Sequence, residues 1–147
     1  MSKTMSKTMS KTILETVTLY TDGSCMPNPG VGGFGFIFID PKTSKEWCVN
    51  GGELNTTNNR MEMTAVIEGL KFLKNYSKFK IYSDSMYVIN CASGKWKRTK
   101  NIDLWEQYAI VSKNKNIEWI WVKAHNGDKY NEMVDKLAKQ WCEKNQK

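Results

Sequence analysis

This 147-residue sequence has no paired cysteine motif, a single histidine and no long apolar run, and each of these excludes a class of site or protein. The four cysteines (Cys25, Cys48, Cys91 and Cys142) are scattered without a Cys-x-x-Cys pair, and there is one histidine. A zinc site and a disulfide framework are therefore not expected. No apolar run approaches the roughly 20 residues of a membrane span, and no segment is typical of a signal peptide. We expect an intracellular protein in a reducing compartment, without membrane contact.

The composition is that of one folded domain with a basic surface. Hydrophobic residues make up 40% of the chain and aromatic residues 12%, which is enough for a core. The net charge is +7 and the pI about 9.2, a balance that favours a polyanionic partner. Residues 1–12 are three copies of Met-Ser-Lys-Thr and carry three of these charges. We interpret 1–12 as a disordered low-complexity tail and 13–147 as the domain.

Hydrophobic periodicity and turn residues predict five strands and four helices in the order βββαβααβα. The predicted strands are Val17–Thr21, Gly33–Asp40, Trp47–Gly51, Phe79–Ser83 and Ile117–Val122. The predicted helices are Asn58–Tyr76, Ser85–Cys91, Ile102–Asn114 and Asp128–Lys144. Hairpins at the start and helical crossovers later indicate a mixed sheet covered by helices, in the α/β class. The nearly continuous apolar run of the last strand is typical of a strand covered on both faces.

One five-residue pattern occurs twice and points to a metal site. The pattern runs aliphatic, Tyr, small hydroxyl, Asp, small, and it is found at 19–23 and at 81–85. Parallel, in-register pairing of the two strands would bring Asp22 and Asp84 to about 5 Å from each other. Two carboxylates at that distance repel, whereas a divalent cation between them reverses the sign of the interaction. The repeat therefore predicts a cation site where the two strands end.

Two further carboxylates lie at the edges of buried helix faces, namely Glu62 and Asp135. Each of the four also has a structural interpretation. Asp22 precedes a glycine as in many turns, and Glu62 could complete a capping box. Asp84 could cap the helix that follows it, and Asp135 could form an ion pair with Lys139 four residues on. Convergence of all four would give hard oxygen ligands that suit Mg²⁺ or Mn²⁺.

Four segments, in order, resemble the motifs of type 1 ribonuclease H. They are Tyr20-Thr21-Asp22-Gly23-Ser24-Cys25 with Asn28-Pro29-Gly30, then Thr57-Asn58-Asn59-Arg60-Met61-Glu62, Tyr82-Ser83-Asp84-Ser85, and Val122-Lys123-Ala124-His125-Asn126-Gly127 with Asn131-Glu132 and Asp135. The resemblance extends from about Val17 to Lys139. It implies the ribonuclease H-like fold, in which three antiparallel N-terminal strands and parallel later strands form one five-stranded sheet. It also implies an endonuclease that cuts the RNA strand of RNA–DNA hybrids, leaving 5′-phosphate and 3′-hydroxyl ends.

Carried over residue by residue, the resemblance assigns roles to the motif residues. It implies that two Mg²⁺ ions (Mn²⁺ being a second candidate) are held by Asp22, Glu62, Asp84 and Asp135, with Asp22 bridging them. His125 matches the catalytic histidine of the family's mobile loop. The hybrid backbone is expected to contact Cys25, Asn28, Thr57, Asn58 and Asn59. Three alternatives stay open: Asn58 as a helix cap, Cys25 as a packing residue and His125 as a surface residue.

The sequence departs from the family pattern between Asp84 and Trp105, where bacterial members with a basic protrusion are longer. A short basic turn, Ser93–Lys100, remains there. We expect Trp96, Lys97 and Arg98 to hold the DNA strand by charge and stacking, with a solvated loop as the alternative. Met86 also stands where a polar residue is more usual.

Two other functions are compatible with the fold. One is a non-catalytic RNA- or hybrid-binding module, which four intact carboxylates argue against. The other is a resolvase- or transposase-like DNA nuclease, which the Asn58-Asn59-Arg60 motif and the small size argue against. The expected protein is a monomer whose partner is an RNA–DNA hybrid.

Overall fold

Five strands and four helices are found in the part of the chain that the structure, a computed structural model, describes: residues 13–124 and 126–146. The strands are β1 (Ile13–Cys25), β2 (Gly30–Ile39), β3 (Glu46–Thr56), β4 (Tyr76–Ser83) and β5 (Asn116–Trp121). The helices are α1 (Asn58–Phe72), α2 (Met86–Ala92), α3 (Ile102–Val111) and α4 (Lys129–Lys144). The predicted tail at 1–12 and the predicted loop residue His125 lie outside the described residues.

The strands form one mixed sheet in the order β3-β2-β1-β4-β5. β1 pairs with β2 and β2 with β3 in antiparallel fashion, whereas β1 pairs with β4 and β4 with β5 in parallel. Short connections suffice for the antiparallel pairs, while parallel neighbours need longer crossovers, which here contain helices. The predicted α/β architecture and its mixed five-stranded sheet are confirmed.

The sheet divides the molecule into two unequal layers, because successive strand residues point to opposite faces. Leu19 belongs to the larger core, which α1, α2 and α3 complete. Its neighbour Tyr20 belongs to a smaller core on the other face, where it packs with Val134 of α4. Among the described residues, no helix is both long and apolar enough to cross a bilayer.

The structure corrects the sequence prediction at several places. β3 does not stop at Gly51 but continues to Thr56, because it stays paired with β2. β1 does not stop at Thr21 but continues to Cys25, because this stretch still pairs with β2 after β4 has ended. α1 ends at Phe72 instead of Tyr76, since Tyr76 opens β4 and pairs with β1. α3 likewise ends at Val111, before a turn that contains a left-handed asparagine.

A further correction concerns β5, which was predicted to be covered on both faces. β5 is an edge strand of the sheet. Glu118 is exposed and half of the Trp121 side chain remains accessible, while Ile117 and Trp119 are partly buried against the larger core. A continuous apolar run therefore does not distinguish an edge strand with one packed face from a central strand.

Candidate metal centre

Parallel pairing of β1 with β4 brings the two repeated patterns side by side. Leu19 pairs with Ile81 and Tyr20 with Tyr82, so the predicted register is confirmed. Asp22 follows the last β1–β4 pair, and Asp84 directly follows the end of β4. Both aspartates therefore lie where the two strands part.

Helix α1 carries the third carboxylate, Glu62, to the same point. It crosses β1 so closely that a Cβ atom added to Gly23 would lie 2.4 Å from the backbone nitrogen of Glu62. Real Cβ atoms do not approach backbone atoms to that distance, so only glycine permits this crossing. Carboxylate oxygens of Asp22, Glu62 and Asp84 then lie within 4.8 Å of one another.

The structural interpretations of Glu62 and Asp84 are wrong, because other side chains provide the helix caps. Oγ1 of Thr57 accepts a hydrogen bond from the Arg60 backbone nitrogen at 3.2 Å and caps α1. Oγ of Ser85 accepts one from the backbone nitrogen of Val88 at 3.1 Å and caps α2. Neither carboxylate is therefore the side chain that caps its helix.

The interpretation of Asp22 as a turn residue is also wrong. Asp22 is a residue of β1 and pairs with Gly35 of β2. Its Oδ1 accepts a hydrogen bond from the backbone nitrogen of Gly23 at 2.9 Å, and the residue is 3% exposed.

Burial and mutual repulsion disfavour the charged forms of Asp22 and Glu62. Burial, followed by the charges of Asp84 and Asp135, raises the pKa of Asp22 to about 8. Burial, followed by the charges of Asp22 and Asp84, raises the pKa of Glu62 well above its usual value. Without a compensating cation, the site would hold protons at neutral pH.

One atom indicates that these residues fit a cation. Oε1 of Glu62 is buried and has no hydrogen-bond partner among the described residues. Buried carboxylate oxygens almost always have a partner, and such an orphan requires a physical cause. A hard divalent cation held between three carboxylates supplies one, since it accepts anionic oxygen ligands and removes their repulsion.

Asp135 lies near this group, and its interpretation as an ion-pair residue is correct. Lys139 Nζ lies 3.1 Å from Oδ2 of Asp135, one helical turn away on α4. The charge of Asp135 nevertheless contributes to the raised pKa of Asp22. A fourth ligand at this position stays a prediction, as the close group consists of Asp22, Glu62 and Asp84 among the described residues.

Sequence reasoning missed the aromatic packing beside the carboxylates. Tyr20 and Tyr82 each precede an aspartate by two residues and therefore share its face of the sheet. Their ring centroids are 4.4 Å apart in a stacked pair, and Tyr130 of α4 lies 5.2 Å from Tyr20. The tyrosines in the repeated pattern were a signal for this contact. The three rings pack together in the smaller core, on the face of the sheet that α4 covers.

The residues predicted to contact the hybrid backbone lie around the start of α1. Oδ1 of Asn28 accepts a hydrogen bond from the backbone nitrogen of Asn58 at 3.1 Å, which ties the loop after β1 to the helix. Asn58 is not the helix cap, since Thr57 has that role, and Asn59 is exposed. Cys25 is 4% exposed, with its thiol 3.3 Å from the carbonyl oxygen of Thr56. Packing is therefore the better interpretation of the Cys25 side chain.

Among the side chains of the basic turn, Arg98 packs against the protein, whereas Trp96 and Lys97 extend into solvent. Trp96 is 49% exposed, and Lys97 is exposed. The Arg98 guanidinium lies 4.7 Å from the Trp105 ring centroid, and its Nε donates to the carbonyl oxygen of Cys91 at 2.9 Å. Arg98 thus anchors the turn to the protein, a role that the sequence did not indicate.

Comparison with known proteins gives consistent results. The family model for RNase H matches residues 14–143. A protein named Ribonuclease H from Thermoanaerobacter sp. (strain X514) is 43% identical over 145 residues, covering 89% of this chain and 92% of the relative. A Ribonuclease H from Wolbachia sp. subsp. Drosophila simulans is 44% identical over 136 residues, covering 84% and 92%.

A solved structure is similar in fold. LC11-RNase H1 in complex with an RNA/DNA hybrid superimposes with a TM-score of 0.75, at 21% identity, over 87% of this chain and 97% of that one. At this identity the similarity concerns the fold.

Proposed function

We propose that this chain, which belongs to the ribonuclease H family, has its catalytic centre at the carboxylate group where β1 and β4 end. The protein is an endonuclease that hydrolyses the RNA strand of RNA–DNA hybrids. The observation that carries the assignment of the centre is the convergence of the buried Asp22 with the partly buried Glu62 and Asp84, together with the unpartnered Oε1 of Glu62. A module that only bound RNA would gain nothing from three carboxylates that converge on one point and repel one another.

Asp22, Glu62, Asp84 and Asp135 would hold two divalent ions, for which Mg²⁺ is the first candidate and Mn²⁺ the second. These oxygen-only ligands suit both ions and disfavour zinc. When bound, the ions supply Lewis acidity for the attacking water and for the leaving 3′-oxygen.

The protein's own groups orient the substrate and move protons around this centre. Lys139 donates to Oδ2 of Asp135 and holds that carboxylate at the edge of the group. We assign Glu62 the recognition of the 2′-hydroxyl beside the scissile phosphate, because that hydroxyl distinguishes RNA from DNA. We assign His125 a proton transfer near neutral pH. Water is the nucleophile in this scheme, so the products carry 5′-phosphate and 3′-hydroxyl ends.

Two surfaces flanking the centre are our candidates for hybrid binding. Asn28, Asn58 and Asn59 would contact the sugar–phosphate backbone, supported by the 3.1 Å hydrogen bond that fixes Asn28 against the start of α1. The exposed Trp96 and Lys97 of the basic turn would hold the DNA strand by stacking and charge. Arg98 supports the turn from within.

Asp22→Asn tests the catalytic assignment. We expect it to abolish cleavage of a matched RNA–DNA hybrid in Mg²⁺ while binding of the hybrid persists, because phosphate contacts lie outside the carboxylate group. Parallel incubations with double-stranded RNA and double-stranded DNA define the substrate class. More than a few per cent of residual activity would contradict the assignment, and cleavage of double-stranded DNA by the wild type would favour the resolvase-like alternative.

A further inference from the structure

Arg60 lies inside the second motif, yet it has no part in the proposed mechanism. Its guanidinium forms a two-point contact with Asp103 at the start of α3, with nitrogen–oxygen distances of 3.0 and 2.7 Å. The same guanidinium also donates to Oδ1 of Asn101 at 3.3 Å. Hydrogen-bonded contacts of this paired kind fix orientation as well as distance. α1 and the start of α3 are therefore held in one arrangement.

Asn101 extends this contact to a third helix. It precedes α3 in the left-handed conformation, with φ of 58°, and its side chain does not cap the helix. Instead, its Nδ2 donates to the hydroxyl of Tyr87 on α2 at 3.0 Å, and Nε1 of Trp105 donates to the same hydroxyl at 3.3 Å. An asparagine at this position ordinarily caps its own helix. Here the side chain links α1 to α2.

The position of this network relates the basic turn to the catalytic centre. Arg60 precedes Glu62 by two residues, and Tyr87 follows Asp84 by three. Asn101 is the residue directly after the turn. The other end of the turn is held on α2, where the backbone nitrogen of Trp96 donates to the carbonyl oxygen of Asn90 at 3.0 Å. Both ends of the turn are thereby tied to elements that carry or adjoin catalytic carboxylates.

We propose that Arg60 and Asp103 are positioning residues that fix the basic turn relative to the catalytic carboxylates and so set the affinity for the DNA strand of the hybrid. The inference rests on the proposed role of the turn in binding. A purely stabilising role does not account for the geometry of the pair: Asp103 is 61% exposed, so solvent screens the attraction between the charges, whereas the two-point contact still fixes the orientation of the two side chains. Contacts that hold a binding segment in its bound conformation act instead on affinity.

Asp103→Asn is the direct test, with Glu68→Gln as the matched control. Glu68 is on α1 and pairs with Lys71 at 3.3 Å, so its replacement removes one exposed ion pair and the same charge. We expect Asp103→Asn to raise KM for a hybrid roughly two- to tenfold, the cost of ordering one or two long side chains. We expect kcat to stay within about twofold, because the carboxylates themselves are untouched. Glu68→Gln should change neither constant.

Two companion measurements distinguish a positioning role from general destabilisation. Asp103→Glu retains a carboxylate and should recover most of the lost affinity. Raising the salt concentration should weaken binding less steeply for Asp103→Asn than for the wild type, since phosphate contacts are lost. A fall in kcat accompanied by a lower melting temperature would show general destabilisation and overturn the proposal.

A variant with Lys95, Lys97 and Lys100 all replaced by Ala distinguishes the two levels of the hypothesis. If this variant raises KM and Asp103→Asn does not, the positioning role is wrong while the role of the turn stands. If neither variant changes KM, the turn does not bind the hybrid, and both ideas fail. A rise in KM for both supports the inference.

Discussion

We expect Asp22→Asn to stabilise the metal-free protein at neutral pH, although it removes a residue that we propose to be catalytic. Burial and two neighbouring carboxylates raise the pKa of Asp22 to about 8 in the folded state. In the unfolded chain the ordinary value is 3.8. Asparagine carries no charge, and its side-chain oxygen can still accept the 2.9 Å hydrogen bond from the backbone nitrogen of Gly23. The substitution therefore removes the electrostatic cost and retains the local contact.

The size of the effect follows from the two pKa values. A carboxyl group whose pKa is raised by folding favours the folded state below its unfolded pKa. That contribution is lost as the pH rises through the folded pKa, so stability should fall between about pH 4 and pH 8. At pH 7, which is about three pH units above the pKa of the unfolded state, the Asp22 carboxyl must be protonated when the protein folds. Protonation at that pH costs up to about 4 kcal/mol of folding free energy. Asp22 and Glu62 share this cost, because they titrate as an interacting pair.

Urea denaturation followed by circular dichroism, in the presence of EDTA, measures this directly. The free energy of unfolding of the wild type should decline from pH 5 to pH 8, while that of Asp22→Asn declines less and exceeds it at pH 7. Glu118→Gln, an exposed carboxylate on β5, is the control for a change in net charge. Millimolar Mg²⁺ should stabilise the wild type more than Asp22→Asn, because ligands stabilise the state that binds them.

Two results would refute this reasoning. A lower metal-free free energy of unfolding for Asp22→Asn would show that the aspartate is a structural residue of β1. An equal pH dependence in both proteins would show that Asp22 is ionised at ordinary pH, and that its surroundings do not raise its pKa.

Three further substitutions test separate parts of the site. Gly23→Ala should lower the free energy of unfolding in urea by about 1–3 kcal/mol and kcat at least tenfold. The added methyl group would collide with the Glu62 backbone and displace the Glu62 carboxylate. An unchanged kcat would contradict the close crossing of α1 over β1. His125→Ala should lower kcat roughly ten- to a hundred-fold with unchanged Mg²⁺ dependence; lost metal binding would make His125 a ligand instead. Arg98→Lys should reduce the free energy of unfolding by about 1–2 kcal/mol, since it loses the planar contact with Trp105 and the hydrogen bond to the Cys91 carbonyl. The salt dependence of KM should not change. A flatter salt dependence would show that Arg98 contacts the DNA strand.

Several features of this protein could be predicted from local sequence because they depend on local periodicity. The repeated pattern around Asp22 and Asp84 predicted two parallel strands in register, and the β1–β4 pairing confirms it. Residue spacing along α1 placed Glu62 at the edge of the buried face, from which it reaches the two aspartates. Strand and helix periods of two and 3.6 residues decide which side chains share a face. A site assembled from such faces is therefore visible before the fold is known.

Other features were decided only by contacts between residues distant in the sequence. Whether Glu62 and Asp84 cap helices depended on competition with Thr57 and Ser85, and the hydroxyl side chains provide both caps. The sequence did not distinguish Arg98 from the lysines of the basic turn, but in the structure its guanidinium packs on the Trp105 ring. An apolar run showed that β5 is a strand but not that it lies at the edge of the sheet. Each outcome depends on which residue lies next to the side chain in the folded protein. Local sequence allows several hydrogen bonds or burial patterns, and only tertiary packing decides which of them forms.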